Sequence, residues 1–164
     1  MITRHSVCFA ALATFALGCA SFPAPQGPES VSGTWRSKGT APYIVEHTLD
    51  RPHGRALDHP HVELLERSAS FEWELHERPD GLVIGTSRWI SYGPDGKELF
   101  RGVEPLLGVH DGERLILEEP ADDATKTPQL VFDCVFDGPD RIRAMGYEVG
   151  SKDLMAVRVV LHRD

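Results

Sequence analysis

Histidine is the side chain that most readily does acid–base or metal chemistry near neutral pH, and this chain gathers its histidines unevenly. Of eight, His47, His53, His59 and His61 fall within fifteen residues, with Asp50, Asp58 and Glu63 among them. His59-Pro60-His61 is a His-x-His pair. On a strand that spacing puts both imidazoles on one face, where two ring nitrogens can bind zinc. His53 or Asp58 then supplies a third ligand and water the fourth. The competing reading is a solvated loop, because Pro60 fits poorly inside a strand. Zinc is the one cofactor these residues raise.

Elsewhere no nucleophile or base stands out. The sequence has no Gly-x-Ser-x-Gly, no phosphate-cradling glycine loop, no His-Glu-x-x-His and no Cys–His pairing. The carboxylate pairs Glu118-Glu119 and Asp122-Asp123 are adjacent rather than spaced along a strand face, and read as solvated loop positions. No catalytic residue can be named, and the balance leans away from an enzyme. Aromatic side chains offer a different kind of site. Trp73, Trp89, Phe71 and Phe132 are the candidates to line a ligand pocket, and the same residues could equally be plain core.

The elements that must position these residues are strands. Ala69, Phe71, Trp73 and Leu75 alternate with Ser70, Glu72, Glu74 and His76, the period of a half-buried strand. Arg78-Pro79-Asp80-Gly81 is a turn, and Leu82 to Tyr92 returns, with Ile84, Trp89 and Ile90 available to pack. Gly93-Pro94-Asp95-Gly96 turns again, since Pro presets φ and Gly accepts positive φ. Lys97 to Val109 holds one kinked strand or two short ones, interrupted by Gly102, Pro105 and Gly108. Further strands run over 114–119, 129–136, 141–149 and 154–162, with a polar loop at 120–128. Met155, Val157, Val159 and Leu161 share a face of the last strand. With two earlier strands, near Thr34 and over Tyr43 to Leu49, the count is eight or nine. Residues 60–67 read as a short helix, with Asp58 as N-cap and Leu64 and Leu65 facing inward.

Short strands joined by tight turns predict an all-β, antiparallel up-and-down meander, closing into a small barrel of about eight strands so that no edge is left unpaired. A barrel of that size holds one small ligand or fills with side chains.

The chain has 164 residues, 17 Lys and Arg against 25 Asp and Glu, and a formal net charge of −8. That balance argues against non-specific nucleic-acid binding and offers no polybasic patch for anionic lipid. The N-terminus is of another kind. Arg4 and His5 precede an apolar run, Val7 to Leu17, too short to span a bilayer, which takes about 20 residues. This reads as an export signal. Ala16-Leu17-Gly18-Cys19 resembles the lipobox of bacterial lipoproteins, and the resemblance implies cleavage before Cys19 and a diacylglyceryl group on its thiol. Ala20, where that family's inner-membrane members carry Asp, implies passage to the outer membrane in a Gram-negative host. Residues 1–18 are then the signal peptide, 19–32 a lipidated cysteine and Pro/Gly/Ser-rich tether, and 33–164 one domain. Of three cysteines only Cys134 remains in the domain, so no intradomain disulfide is expected. Its neighbours at period two, Leu130, Phe132 and Phe136, predict a buried, inert thiol.

Val31-Ser32-Gly33-Thr34-Trp35 opens the domain. Gly-x-Trp on a first strand, followed by an antiparallel meander, resembles the lipocalin and avidin-like barrels, the calycins. That resemblance implies that Trp35 closes one end of the barrel beneath an Arg of the last strand, Arg158 or Arg163, with Arg163 preferred. It also implies a small apolar ligand in the barrel mouth rather than catalysis. The combined expectation is a lipid-anchored cell-envelope barrel binding such a ligand. The alternatives are an envelope interaction module with a filled barrel, or a metal-binding protein or metal-dependent enzyme using the His47–His61 cluster, with His53, His59 and His61 as its ligands.

Overall fold

The computed structural model describes residues 27–48, 62–120, 129–149 and 155–164. Among them there is no helix, and every regular element is an antiparallel strand. The strands are β1 (Gly33–Ser37), β2 (Ala41–Thr48), β3 (Val62–Glu77), β4 (Leu82–Tyr92), β5 (Glu98–His110), β6 (Arg114–Glu119), β7 (Gln129–Phe136), β8 (Arg141–Val149) and β9 (Met155–Arg163). From β3 to β9 each strand pairs with the next, and β2 lies between β9 and β3, so the sheet closes on itself. β1 and β2 share one position in the ring. β1 pairs with the C-terminal part of β3 and the end of β9, β2 with the N-terminal part of β3 and the start of β9. The break between them falls at Gly39, whose φ of 90° suits glycine alone. Nine strands thus make a closed eight-stranded barrel with one extra strand.

The expected helix at 60–67 is not formed. Val62 to Arg67 are the start of β3 and pair residue by residue with β2, from Thr48↔Val62 to Tyr43↔Arg67. Adjacent leucines on a strand face opposite ways. Leu64 is therefore 65 % exposed, while Leu65 turns inward and is half-buried. Long-range ladder partners outweigh the local helix signal. The same rule corrects β4: Ile84 is 48 % exposed, and Val83, Ser87, Trp89 and Ser91 make the inward line. The segment 98–110 is one continuous strand despite Gly102, Pro105 and Gly108. β6 pairs with it only from Leu107 onward, so among the described residues Pro105 sits where β5 is an edge on that side, a place that tolerates a missing N–H.

The core runs along the barrel axis. Trp35, Trp73, Phe132, Leu106, Leu115, Leu117, Ile142 and Leu161 are fully buried. Phe132 meets Trp73 edge-on at 4.9 Å and Phe71 at 6.1 Å, the geometry aromatic quadrupoles favour. Gly146 makes room for that ring: a Cβ there would lie 2.7 Å from Phe132 Cε1.

Cys134 is fully buried in the same core. Burial, with a smaller contribution from the Asp133 charge, pushes its thiol up, away from the reactive thiolate. In a chain beginning at Ser21, Cys134 should resist a thiol reagent at pH 8 while folded and react at once in strong denaturant. Rapid labelling of the folded protein would show that β7 opens locally.

One end of the barrel is closed by residues 27–32. The Trp35 indole N–H donates to Val31 O at 2.8 Å, and the Arg163 guanidinium lies 4.6 Å over the Trp35 ring and donates to Ser30 O. The Val31 N–H donates to Glu77 Oε2 at 2.8 Å, and Glu77 Oε1 meets His110 Nδ1 at 2.9 Å. Burial alone would raise the Glu77 carboxyl, but His110, Val31 and Ser30 together outweigh it and hold it below its ordinary value.

Candidate ligand-binding site

The opposite end of the barrel is built differently. The turns at 78–81, 111–113 and 137–140 lie at the closed end, and the β4–β5 turn at 93–97 at the other. Alternation carries inward lines of side chains toward that second end, and paired residues of neighbouring strands share a face. On β4 the inward line is Ser87, Trp89, Ser91. Its register partners are Trp73, Phe71 and Ala69 on β3, and Glu104, Gly102 and Phe100 on β5. On β6 the buried series Leu115, Leu117 continues to Glu119, whose partner Leu130 pairs in turn with Glu148 of β8. Tyr43 projects inward from β2 and its hydroxyl meets Ser91 Oγ at 2.5 Å.

Three polar atoms in this region lack a hydrogen-bond partner among the described residues: Trp73 Nε1, Ser87 Oγ and Glu119 Oε1. Trp73 and Ser87 are fully buried, and Glu119 is 8 % exposed. A buried polar group without a partner costs about 1–3 kcal/mol, so three on one inner wall are a departure that demands an explanation. Burial pushes the Glu119 carboxyl up to about 7. The Glu104 charge adds to this, and the Ser87 hydroxyl opposes it, near enough to favour the ionised form yet outside hydrogen-bonding geometry.

At this end an open groove of about 570 Å³ is lined by Pro42–Ile44 of β2, Glu66–Ser68 of β3 and the turn at Gly93, Pro94 and Gly96. Tyr43 belongs both to the groove and to the inward wall. The Arg67 guanidinium stands 5.6 Å over the Phe100 ring, which is itself 55 % exposed. The Trp89 indole lies close against β5: a Cβ on Gly102 would approach it to 2.6 Å.

The residues singled out in the sequence distribute unequally. Trp73 and Phe132 are fully buried, Trp73 with its Nε1 unpaired on the site's wall, and Phe71 is buried beside them. Trp89, half-buried next to Ser87 and Ser91, is the lining candidate best placed to touch a ligand. Trp35 and Arg163 stack at the closed end, away from the site. His53, His59 and His61 lie outside the described residues, as do Cys19 and the whole N-terminal signal. Among the described residues no group of three His, Cys, Asp or Glu could hold a metal ion. Glu119 corrects the sequence reading: it is an inward wall residue, not a solvated loop carboxylate. Its signal was present, two places beyond Leu117 in a buried series.

Fold and site together define a closed eight-stranded antiparallel barrel with an aromatic and aliphatic core, closed at one end over the Trp35–Arg163 and Glu77–His110 contacts and carrying unpaired carboxyl, hydroxyl and indole groups toward the other. No family model and no curated protein sequence matches the chain. Among solved structures it is similar to EF1p2_mFAP2b bound to DFHBI, with a TM-score of 0.45 and 12 % identity over 81 % of this chain and 93 % of that one. It is also similar to the S-type phycobiliprotein lyase CPES from Guillardia theta, with a TM-score of 0.42 and 13 % identity over 82 % of this chain and 88 % of that one.

Proposed function

We propose that this is a lipid-anchored protein of the bacterial cell envelope whose barrel binds one small ligand with an apolar body and a polar group. The observation that carries the reading is the set of unpaired buried atoms on Trp73, Ser87 and Glu119, beside half-buried Trp89. An entirely apolar ligand would leave those atoms unpaired, so the expectation of an apolar ligand narrows to an amphipathic one. Trp35 beneath Arg163 supports a calycin-type barrel. Envelope location rests on Ala16-Leu17-Gly18-Cys19, and on Ala20 for the outer membrane of a Gram-negative host.

Native mass spectrometry of the chain from Ser21 onward, purified from its host without metal-affinity resin, tests the binding. An adduct of small-molecule mass is expected, and Trp89→Ala should lose most of it while unfolding as cooperatively as the parent. An adduct that survives Trp89→Ala unchanged would place the ligand elsewhere, and a bare mass in both proteins would count against the reading. Trp89 is a better probe than Trp73, since truncating a fully buried Trp costs about 3–5 kcal/mol of stability. Anchoring has its own test. Cys19→Ser should move the protein from the membrane to the soluble fraction; retention on the membrane would mean that something other than Cys19 holds it.

A second reading has an observation of its own. The outer face of β4, β5 and β6 exposes Leu82, Ile84, Leu107, Val109 and Ile116, and the register sets Ile84 beside Leu107, Leu82 beside Val109 and Val109 beside Ile116. Contiguous exposed aliphatics of this kind mark protein–protein contact. The filled-barrel interaction module would use that face, and charge substitution at Leu107 would then abolish capture of an envelope partner without affecting any small-molecule adduct.

A further inference from the structure

Resting on the reading of a lipid-anchored protein, we infer that the barrel touches the bilayer a second time, through the outer aliphatic face of β4, β5 and β6, and that the lipid surface it meets is zwitterionic. Single exposed aliphatics are ordinary on a protein surface. These are contiguous. Leu82, Ile84, Leu107, Val109 and Ile116 are each between 41 % and 50 % exposed, and the register sets Leu82 beside Val109, Val109 beside Ile116 and Ile84 beside Leu107. Their place in the fold selects the occupant. The His110 N–H donates to Gly81 O at 2.9 Å, so the β3–β4 and β5–β6 turns lie side by side at the closed end. Leu82 and Val109 are the first outward positions behind those turns, with Ile116 next to Val109. Gly27 sits on the same spot: a Cβ there would collide with the Gly112 carbonyl of the β5–β6 turn.

Residues 19–26 therefore join the described chain beside this face, and a lipid on Cys19 would hold it near the membrane at high effective concentration. Tyr147 and Val149 of β8 are similarly exposed but stand toward the opposite end, because β8 starts at the closed-end turn. Exposed apolar patches suit membranes as well as proteins, and an aliphatic face settles at the boundary of headgroups and acyl chains. Charge selects the lipid. Arg78 is paired with Asp80 at 2.8 Å, and Arg114 with Asp133 at 2.6 Å. Asp111 and Glu113 in the turn, and Glu118 beside Leu107, then leave the border acidic among the described residues. An anionic surface would repel that border and a zwitterionic one would not. Without the tether the contact is too weak to hold the protein, so release of Cys19→Ser from the membrane is expected on this inference as well.

Quenching of tryptophan by bromine on lipid acyl chains tests the contact. The chain from Cys19 onward is coupled through the Cys19 thiol to a maleimide lipid in phosphatidylcholine vesicles, where fully buried Cys134 does not compete. The Val109→Trp protein should lose most of its added emission when the acyl chains are brominated, and Tyr147→Trp should lose none. Leu107→Glu, an outward change that leaves the core intact, should restore the emission of the Val109→Trp protein. Vesicles of phosphatidylglycerol should quench less. No quenching in Val109→Trp, equal quenching in both tryptophan variants, or quenching that survives Leu107→Glu would overturn the inference. Stronger quenching in phosphatidylglycerol would overturn its choice of lipid. A dimer of the Cys19→Ser protein that Leu107→Glu splits into monomers would overturn it too, by giving the face to a second copy. Because the vesicles use a chemical tether, the anchoring reading fails separately: it ends if protein taken from its host carries no acyl group on Cys19.

Discussion

Raising the pH from 5 to 8 should cost this barrel roughly 2.5 kcal/mol of unfolding free energy, and Glu119→Gln should remove most of that loss. The folded protein holds the Glu119 carboxyl up at about 7, whereas its ordinary value is 4.5. Between those values the unfolded chain has released the proton and the folded chain retains it. The folded state therefore binds more protons, and stability falls as pH rises through that window. Above the folded value the loss is complete and the curve flattens. Glu77 does not interfere, since a carboxyl held below its ordinary value loses its contribution only on acidification below about pH 4.5. His162, lowered by burial first and then by Lys38 and Arg141, works in the opposite sense below pH 6.5, but solvent screens it. Urea unfolding of parent and Glu119→Gln at pH 5 and pH 8 measures the difference directly. Parallel curves for the two proteins would mean that Glu119 ionises freely and is not enclosed by the wall.

Trp35→Ala should destabilise the domain by about 3–5 kcal/mol. Trp35 is fully buried at the closed end, where it stitches the segment before β1 to the last strand through Val31 O and the Arg163 guanidinium. Truncation removes the ring, leaves the Val31 carbonyl without its donor and takes the support from under a cation. Two milder variants apportion the effect. Trp35→Phe keeps a ring and loses the N–H, at about 1 kcal/mol. Arg163→Met keeps the stem and loses the charge, at about 0.5–2 kcal/mol. Equilibrium urea midpoints rank the three. A loss under about 1 kcal/mol for Trp35→Ala would mean that the closed end is held by its strand ladders alone.

The strands were legible because their side chains alternate cleanly. Ala69 to Leu75, Leu130 to Phe136 and Met155 to Leu161 each show period two, and each turns its apolar line inward. Turn residues marked the hairpins, and closure followed from the need to pair edges. Where two apolar residues stand together, the pattern alone did not choose between faces. Leu64-Leu65 looked helical and Ile84 looked inward, and only pairing with β2 and β3 decides them. The site was less legible than the fold because its key residues are polar. An aromatic search found Trp89, but Glu119 read as a solvated loop position and Ser87 did not stand out, since polarity is ordinarily the mark of a solvent-facing position. The better signal was positional: each occupies an inward place in its own strand's alternation.

The strap over Trp35 also sets a direction. Residues 27–32 leave the barrel at its closed end, and the groove by Tyr43 and Gly93 lies at the other. With a lipid on Cys19, the eight residues from there to Gly27 reach at most about 29 Å. On the proposed anchoring, the closed end would be tethered next to the bilayer and the other end would look away from it. A ligand of the proposed kind would then arrive from the aqueous compartment rather than out of the lipid.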